Sequence, residues 1–197
     1  MVIKKLIGVI FVLVFGVLAA CTPQQVKEIG AYSTEPKSGL SSLSKWSFEG
    51  RLALKGVKEA WQANIAWHHV INEESVKLSG PLGQGATLIH LAGDLVSIDR
   101  GDGKTSSSSH SEEFVRQQLG VFVPVRSLRY WVVGLPEPKS SFIKTNNGFK
   151  QAEWMIEYDQ MQKINDYLLP HKITVTNPKV KLKLIIDQWD LNDAKAE

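Results

Sequence analysis

Residues 180–189 alternate between apolar and mostly polar positions, and this period of two constrains the fold more than any other feature. Alternate side chains of a β-strand point to opposite faces of its sheet, so the pattern is typical of a strand with one buried face. Because shorter segments from residue 46 onward repeat it, we expect a chain built mainly of β-strands. In residues 180–189 the apolar face carries Val180, Leu182, Leu184 and Ile186, and the other face carries Lys181, Lys183, Ile185 and Asp187.

Turn-forming residues separate the other alternating segments. Glycine-rich breaks at residues 80–85 and 93–94, and a turn at residues 55–58, favour an antiparallel meander because they are short. About ten strands are more than a small sandwich needs, and they suit a strongly curved sheet or a partial barrel. The predicted strands cover residues 46–54, 60–67, 74–79, 86–91, 95–100, 142–145, 149–158, 162–167, 172–176 and 180–189.

Two short helices are predicted within this β-rich chain. Residues 111–119 open with Ser-Glu-Glu and are followed by Gly120, which are signals for the start and end of a helix. Residues 125–133 follow Pro124 and stop before Gly134, with apolar residues at helical spacing between them. The predicted class is therefore mainly β with short helices, an α+β fold.

Cys21, the single cysteine of the chain, closes an N-terminal export signal. Residues 1–5 carry two lysines, residues 6–20 are uncharged and almost wholly apolar, and Leu18-Ala19-Ala20 precedes the cysteine. This order is typical of a lipoprotein signal peptide, residues 1–20, that is cleaved once the Cys21 thiol carries a diacylglyceryl group. The alternative is an uncleaved membrane anchor, which needs roughly 20 apolar residues, more than the fifteen of residues 6–20.

Composition narrows the remaining possibilities. Once Cys21 is lipidated, the mature chain has no cysteine for a disulfide, so its stability must come from a core. The signal peptide takes Lys4 and Lys5 with it, which lowers the formal charge from +3 to +1 and gives no reason to expect a nucleic-acid partner. Residues 21–45 are rich in Ser, Pro, Gly, Gln and Lys without a sustained period, and they are predicted to form a lipidated flexible tether.

Short motifs between residues 46 and 192 make the chain resemble a known family. The most distinctive runs from Leu128 through Arg129-Tyr130-Trp131-Val132-Val133-Gly134-Leu135 to Pro136. The others, in chain order, are Gly50-Arg51-Leu52-Ala53, residues 61–67, Pro81-Leu82-Gly83, Leu119-Gly120 followed by Pro124, residues 154–158, Leu169-Pro170 and residues 181–189. Their order, more than any single motif, makes the chain similar to the LolB family of outer-membrane lipoprotein receptors.

The resemblance implies a fold and a function. The fold is an open, incomplete antiparallel β-barrel of about ten to eleven strands over residues 46–192, with helices plugging one side and a tail at residues 193–197. Such receptors take acylated lipoproteins from the soluble periplasmic carrier LolA and release them into the phospholipid of the inner leaflet of the outer membrane. Thr22, where an aspartate would favour the inner membrane, agrees with an outer-membrane location facing the periplasm. We expect a non-enzymatic monomer without cofactors other than the diacylglyceryl and N-acyl groups on Cys21.

An acyl-binding cavity needs a concave lining of large apolar side chains without unsatisfied polar groups. A curved sheet with an apolar inner face provides such a lining. For each single residue, packing in an ordinary core is an equally good interpretation. The candidate lining residues are Phe48, Leu52, Ile65, Trp67, Leu88, Trp131, Ile156 and Leu184.

Two further positions are candidates for function. Leu82 lies in a Pro-Leu-Gly turn between Pro81 and Gly83, where a leucine has little to pack on. The resemblance implies that it is an exposed apolar finger that helps to deliver cargo into the membrane; the alternative is a loop leucine folded back into the core. Arg51 is a candidate polar residue at the cavity mouth, and the favoured alternative is an outward-facing, solvated arginine.

The sequence gives little support for catalysis or metal binding. His68 and His69 are adjacent, so on a strand they would point to opposite faces and could not share a metal. The Asp-Arg-Gly-Asp run at residues 99–102 resembles a turn, and the serines before His110 lack a nucleophile elbow. Two alternatives to a receptor remain: a lipid-tethered scaffold or inhibitor that binds another envelope protein without a cavity, and an envelope hydrolase.

Overall fold

Eleven strands and two short helices make up the part of the chain that the computed structural model describes, namely Tyr32, Leu40 and residues 43–120 and 122–191. The helices are α1, Ser111–Leu119, and α2, Val125–Trp131. The strands are β1 Lys45–Lys55, β2 Ala60–Val70, β3 Glu73–Ser79, β4 Thr87–Ala92, β5 Leu95–Asp99, β6 Thr105–Ser108, β7 Phe142–Lys144, β8 Gly148–Gln151, β9 Trp154–Ile164, β10 Tyr167–Thr176 and β11 Lys181–Asp190.

All the strands belong to one antiparallel sheet with the order β6-β5-β4-β3-β2-β1-β11-β10-β9-β8-β7. Strands that follow one another pair within β1–β6 and within β7–β11, and the pairing of β1 with β11 joins these two halves of the meander. The sheet stays open, because β6 and β7 form its two edges and the segment between them carries both helices. The predicted open, incomplete barrel of ten to eleven strands with helices is thus confirmed.

The predicted strands differ from the structure at three places. Residues 149–158 were expected to form one strand, but they include a tight turn between β8 and β9 in which Ala152 has a φ of 51°. Residues 162–167 span the β9–β10 hairpin, whose turn contains Asn165 at a φ of 52°. Neither turn contains glycine or proline, so the pattern did not reveal them. The serine-rich strand β6 was not predicted because it has no apolar face.

The inner face of the sheet is built from the alternation that the sequence predicts. Val180, Leu182, Leu184 and Ile186 are all buried, whereas Lys181, Lys183 and Asp187 are exposed. A close approach marks the middle of β1, because its register against β11 shifts at Gly50 and a Cβ there would collide with the carbonyl oxygen of Ile185. An aromatic layer crosses the inner face, with ring centroids 5.1–6.0 Å apart, and consists of Trp46, Phe48, Trp67 and Trp189.

Gln151 fixes the segment that follows α2. This side chain is buried, accepts hydrogen bonds from Trp131 Nε1 and the Glu137 backbone N–H, and donates to the carbonyl oxygens of Glu137 and Ser140. The Tyr158 hydroxyl donates to the Trp131 carbonyl oxygen over 2.9 Å. The C-terminal end of α2 is therefore held to the sheet by several buried hydrogen bonds.

Part of the predicted tether packs against the domain. Tyr32 stacks on Tyr158 with ring centroids 4.2 Å apart and donates a hydrogen bond to the Gly134 carbonyl oxygen. Leu40 and Leu43 are buried in the core. The packed domain therefore includes side chains before residue 46, which the sequence did not reveal because they follow no period. Neither of the two helices in the described residues has the length and apolar content of a membrane-spanning segment.

Candidate functional site

A small, wholly apolar cavity of 50 Å³ lies between the inner face of the sheet and α2, and is called the interior cavity below. Four of the predicted lining residues, Leu52, Ile65, Trp67 and Leu184, lie in its wall. The volume has room for a few water molecules at most, far less than an acyl chain needs. The remaining wall residues are Leu54, Trp61, Val76, Leu78, Ile89, Leu91, Val123, Val125, Leu128 and Leu182.

The other four predicted lining residues lie elsewhere. Phe48, Trp131 and Ile156 are buried in the core but do not border the interior cavity. Leu88 was assigned to the wrong face of β4: it is half-buried on the face opposite Ile89, which lies in the wall. The error is one of strand parity, because a shift of one residue along a strand exchanges its two faces.

A second, wider cavity of 610 Å³ lies at the opposite end of α2, and is called the mouth cavity below. Its size is within the range of about 300–1,000 Å³ that is typical of ligand sites. Exposed residues at its rim, among them Ile71 and Phe142, show that it opens at the surface. It is lined by Leu40, Leu43, Ser44, Trp46, His69, Ile71, Asn72, Arg129, Tyr130, Val133, Leu135, Pro136, Pro138 and Phe142.

Sequence reasoning missed the mouth cavity as a site. Its walls come from the N-terminal segment, the start of β1, the β2–β3 turn, the end of α2 and the edge strand β7. These segments lie up to about a hundred residues apart in the chain, so no local pattern connects them. The motif from Leu128 to Pro136 is the one signal that pointed there, since Arg129, Tyr130, Val133, Leu135 and Pro136 all line the cavity.

A buried polar cluster lies beside the mouth cavity. Glu74, only 4 % exposed, accepts hydrogen bonds from Trp67 Nε1 over 2.6 Å and from His69 Nδ1 over 2.7 Å. Arg129 Nη1 lies 3.6 Å from Glu74 Oε1, which is an ion-pair distance but too long for a hydrogen bond. The guanidinium also lies over the Tyr130 ring, 5.1 Å from its centroid. The carboxylate therefore holds a histidine and an arginine that both line the cavity.

Arg51 does not lie at the cavity mouth, and that prediction is wrong. Its side chain is 61 % exposed on the outer face of β1, where it binds the Asp187 carboxylate through Nε and Nη2 at 3.0 and 2.9 Å. This paired carboxylate raises the pKa of Arg51. The parity of β1 explains the placement, because Leu52 and Leu54 point inward and Arg51 must then point outward.

Leu82 stands at the tip of the β3–β4 loop with 92 % of its surface exposed. The loop backbone is well braced: the Gly80 N–H donates to the Gln84 carbonyl oxygen, and the Gly83 N–H donates to the Gly80 carbonyl oxygen. Asn64 Nδ2 reaches the Gly80 and Pro81 carbonyl oxygens from β2. The leucine is thus held away from the core by an ordered loop, and the alternative of a leucine folded back into the core does not apply.

The end of the sheet that carries this loop is rich in unpaired lysines. The β1–β2 and β10–β11 turns lie side by side there, since Lys55 is opposite both Ala60 and Lys181. The β1–β2 turn contributes one exposed acid, Glu59, and an exposed Val57. None of the ion pairs found among the described residues involves the lysines of this basic end, which are Lys55, Lys58, Lys179, Lys181 and Lys183.

Other candidate sites can be placed only in part. Cys21 lies outside the described residues. His68 is exposed and His69 is half-buried and faces the polar cluster, as expected for neighbours on a strand. Across the described residues, no group of three or more His, Cys, Asp or Glu side chains is arranged to hold a metal ion.

An open β half-barrel with an apolar inner face, a helix across it and a ligand-sized cavity at one end defines a class of protein suited to holding apolar ligands. The family model described as "Outer membrane lipoprotein LolB" matches residues 44–189. The chain belongs to this LolB family.

Individual relatives agree with this assignment. The outer-membrane lipoprotein LolB of Nitrosococcus oceani is 32 % identical over 80 % of this chain and 82 % of its own length. Its counterpart in Marinomonas sp. is 30 % identical over 81 % of this chain and 86 % of its own. Among solved structures, a DUF1329 family protein from Desulfovibrio piger superposes with a TM-score of 0.48 at 7 % identity, covering 80 % of this chain and 89 % of its own.

Proposed function

We propose that this protein is an outer-membrane lipoprotein receptor, which accepts acylated lipoproteins from the periplasmic carrier LolA and inserts them into the inner leaflet of the outer membrane. The observation that carries the proposal is the apolar inner face, with a mouth cavity of 610 Å³ and an interior cavity of 50 Å³ at the two ends of α2. Membership of a family of outer-membrane lipoproteins supports the location. Binding and release of cargo need no catalytic group.

The mouth cavity receives the first part of the cargo's hydrocarbon, and the interior cavity must widen to hold more. Burial of each CH₂ group contributes about 0.8 kcal/mol, so a long chain gains affinity with every group that passes under α2. The N-terminal end of α2 can move more easily than its C-terminal end, because Pro124 provides no side-chain cap there. Arg126 joins this end to the β4–β5 turn through an exposed ion pair with Asp94 at 2.7 Å and a hydrogen bond to the Gly93 carbonyl oxygen at 3.3 Å.

Delivery needs contact with a bilayer, and the basic end of the sheet is suited to it. The lysines there complement anionic phospholipid head groups, each contributing about 1 kcal/mol near such a surface. Leu82, the apolar finger of the Pro81–Gly83 loop, would insert between the lipids beside them. Lipidation of Cys21, together with the membrane location of the family, keeps the domain within reach of that surface.

The test uses a soluble Cys21→Ala form of the chain without residues 1–20, mixed with LolA that carries a labelled lipoprotein. Transfer of the cargo to the receptor in a one-to-one complex is the expected result, measured by affinity pull-down of each protein. Cargo that stays on a demonstrably active carrier, while the receptor is folded, would contradict the proposal. Stoichiometric binding of a fluorescent acyl probe separates a receptor from a scaffold that binds proteins alone.

A further inference from the structure

The guanidinium of Arg129 is the unexplained polar group of the mouth cavity. Its Nε is buried and has no hydrogen-bond partner within the described residues, and its side chain is only 27 % exposed. Buried donors almost always have a partner in folded proteins, because an unmade hydrogen bond costs about 1–3 kcal/mol. An arginine that lines a cavity with a free donor is therefore prepared for an acceptor that arrives with a ligand.

The charges around Arg129 determine which acceptor fits. The buried Glu74 carboxylate lies 3.6 Å from Nη1 and balances the guanidinium charge. His69, which also lines the mouth cavity, already donates its Nδ1 proton to Glu74. A second anion would lie close to the Glu74 carboxylate with no further positive charge to balance it, whereas a neutral carbonyl oxygen would accept a hydrogen bond without that repulsion. The cluster thus favours a neutral acceptor over a phosphate or a free carboxylate.

The geometry also fixes the donor in place. The guanidinium lies over the Tyr130 ring and beside Glu74, and both contacts restrict its orientation. Most of the surrounding wall is apolar and includes Trp46, Val133, Leu135 and Phe142. A ligand that suits both the apolar wall and the guanidinium of Arg129 has hydrocarbon chains that end in an uncharged carbonyl group.

We propose that Arg129 recognises an ester carbonyl of the diacylglyceryl group of the cargo, while the attached acyl chains occupy the apolar wall of the mouth cavity. This inference rests on the proposed receptor function and adds a polar contact to it. Recognition of the ester would hold the lipid at a defined depth, with the glycerol at the rim and the chains inside. Hydrocarbon contact alone cannot fix that depth, because it is non-directional.

The experiment compares two lipopeptides that differ only in the two carbonyl groups. Both are N-acylated S-glyceryl cysteine peptides with the same chains, one with ester-linked and the other with ether-linked hydrocarbon. Their dissociation constants are measured for the soluble receptor, for Arg129→Met and for the matched control Arg126→Met, which changes an arginine of the same helix outside both cavities. We expect the unchanged receptor and the control to bind the ester about tenfold more tightly, and Arg129→Met to lose this preference.

Each outcome decides a separate point. Equal binding of the two lipopeptides by the unchanged receptor, or an ester preference that survives in Arg129→Met, would overturn the ester site and leave the receptor function intact. Failure of the unchanged receptor to bind either lipopeptide would overturn the receptor function itself. Tighter binding of a free fatty acid than of its methyl ester would overturn the choice of a neutral acceptor. Since the ratio of ester to ether affinity is measured within each protein, the effect of partial unfolding of a variant on the two affinities cancels. Arg129→Gln provides a second variant.

Discussion

The exposure of the Leu82 side chain follows from the loop that carries it. It lies in the seven-residue loop between β3 and β4, and backbone hydrogen bonds from Gly80 and Gly83 brace that loop. Burying a leucine side chain is worth about 1.5–3 kcal/mol, so an isolated, fully exposed leucine gives up that stabilisation unless something else covers it. A lipid bilayer would provide the missing apolar surroundings.

We expect Leu82→Glu to impair delivery while leaving folding and cargo acceptance unchanged. A charge at the tip opposes insertion among lipids, but an exposed position tolerates it, so the free energy of unfolding should change by less than about 0.5 kcal/mol. Transfer of labelled lipoprotein into liposomes, followed by flotation, measures delivery. The matched control is Leu95→Glu, which places the same charge on an exposed leucine at the opposite end of the strands. Normal delivery by Leu82→Glu would remove the finger role.

Gln151, in contrast to Leu82, is buried, and we expect Gln151→Met to be strongly destabilising. The substitution leaves Trp131 Nε1 and three backbone groups without their partner. Because Trp131 Nε1 is buried and cannot reach water without its partner, the free energy of unfolding should fall by about 2–4 kcal/mol. Urea unfolding of Gln151→Met beside Gln188→Met, a glutamine on the exposed face of β11, measures the difference. Equal effects of the two changes would show that the hydrogen bonds contribute little.

The Tyr32 and Tyr158 pair predicts a loss of stability in alkali. Burial raises the pKa of both phenols above the ordinary value of 10, since the neutral hydroxyls are favoured inside the protein. Unfolded tyrosine loses its proton near pH 10, so above that pH the unfolded state binds fewer protons and the free energy of unfolding falls. Denaturant unfolding at pH 8, 10 and 11 should show this decline, and Tyr158→Phe should make it shallower. An equally steep decline in the variant would assign the effect to other groups.

At the scale of elements, the proposed function requires α2 to move. It lies across both cavities, since Val125 and Leu128 border the interior cavity while Arg129 and Tyr130 border the mouth cavity. Its C-terminal end is tied to the sheet through Trp131, Gln151 and Tyr158, whereas its start is joined through Arg126. Opening is therefore expected as a swing of the N-terminal end about the fixed C-terminal end.

A cleavable cross-link between cysteines placed at positions 94 and 126 should prevent this swing. In the soluble form without Cys21 these would be the only cysteines. We expect the linked receptor to lose affinity for a sixteen-carbon acyl probe but to keep binding an eight-carbon probe, which can remain in the mouth cavity. Reduction of the linker should restore long-chain binding, and the unlinked double variant is the control. Undiminished binding of the long chain after complete cross-linking would contradict the movement of α2.

At the scale of the molecule, the open sheet depends on segments that cover it. The edges β6 and β7 remain unpaired in the described part of the chain, and the concave face is covered by α2 and by side chains that precede β1. Tyr32, Leu40 and Leu43 contribute to this cover and link it to Gly134 and Tyr158. These three side chains are thus part of the folded unit, and the segment that carries them would connect it to the proposed lipid anchor on Cys21.

We expect a form that begins at Lys45 to be less stable than one that begins at Thr22. Each buried apolar side chain contributes about 1.5–3 kcal/mol, so loss of Tyr32, Leu40 and Leu43 should lower the melting temperature by several degrees or more. Differential scanning calorimetry of the two forms measures this difference. The control is the longer form with all three residues changed to alanine, which should melt close to the shorter form. Equal melting of both unmodified forms would show that the segment contributes no stability.

The sequence by itself determined features that depend on neighbours in the chain. Alternation placed Leu52, Leu184 and the other inward residues correctly, because the two faces of a strand follow directly from its geometry. The glycine and proline around Leu82 predicted its exposed loop, and family motifs identified the open barrel. The same local rule placed Arg51 outward and Leu88 on the outer face, once the parity of β1 and β4 was known.

Only the tertiary structure decided how distant segments meet. The pairing of Arg51 with Asp187 joins residues 136 positions apart, and the mouth cavity unites Trp46, Arg129 and Phe142 from three separate elements. These long-range contacts also determine the volumes of the two cavities, the free donor on Arg129 and the packing of Tyr32. Such features depend on which side chains fill the space between elements. Packing of this kind is three-dimensional, so the periodicity of residues along the chain does not predict it.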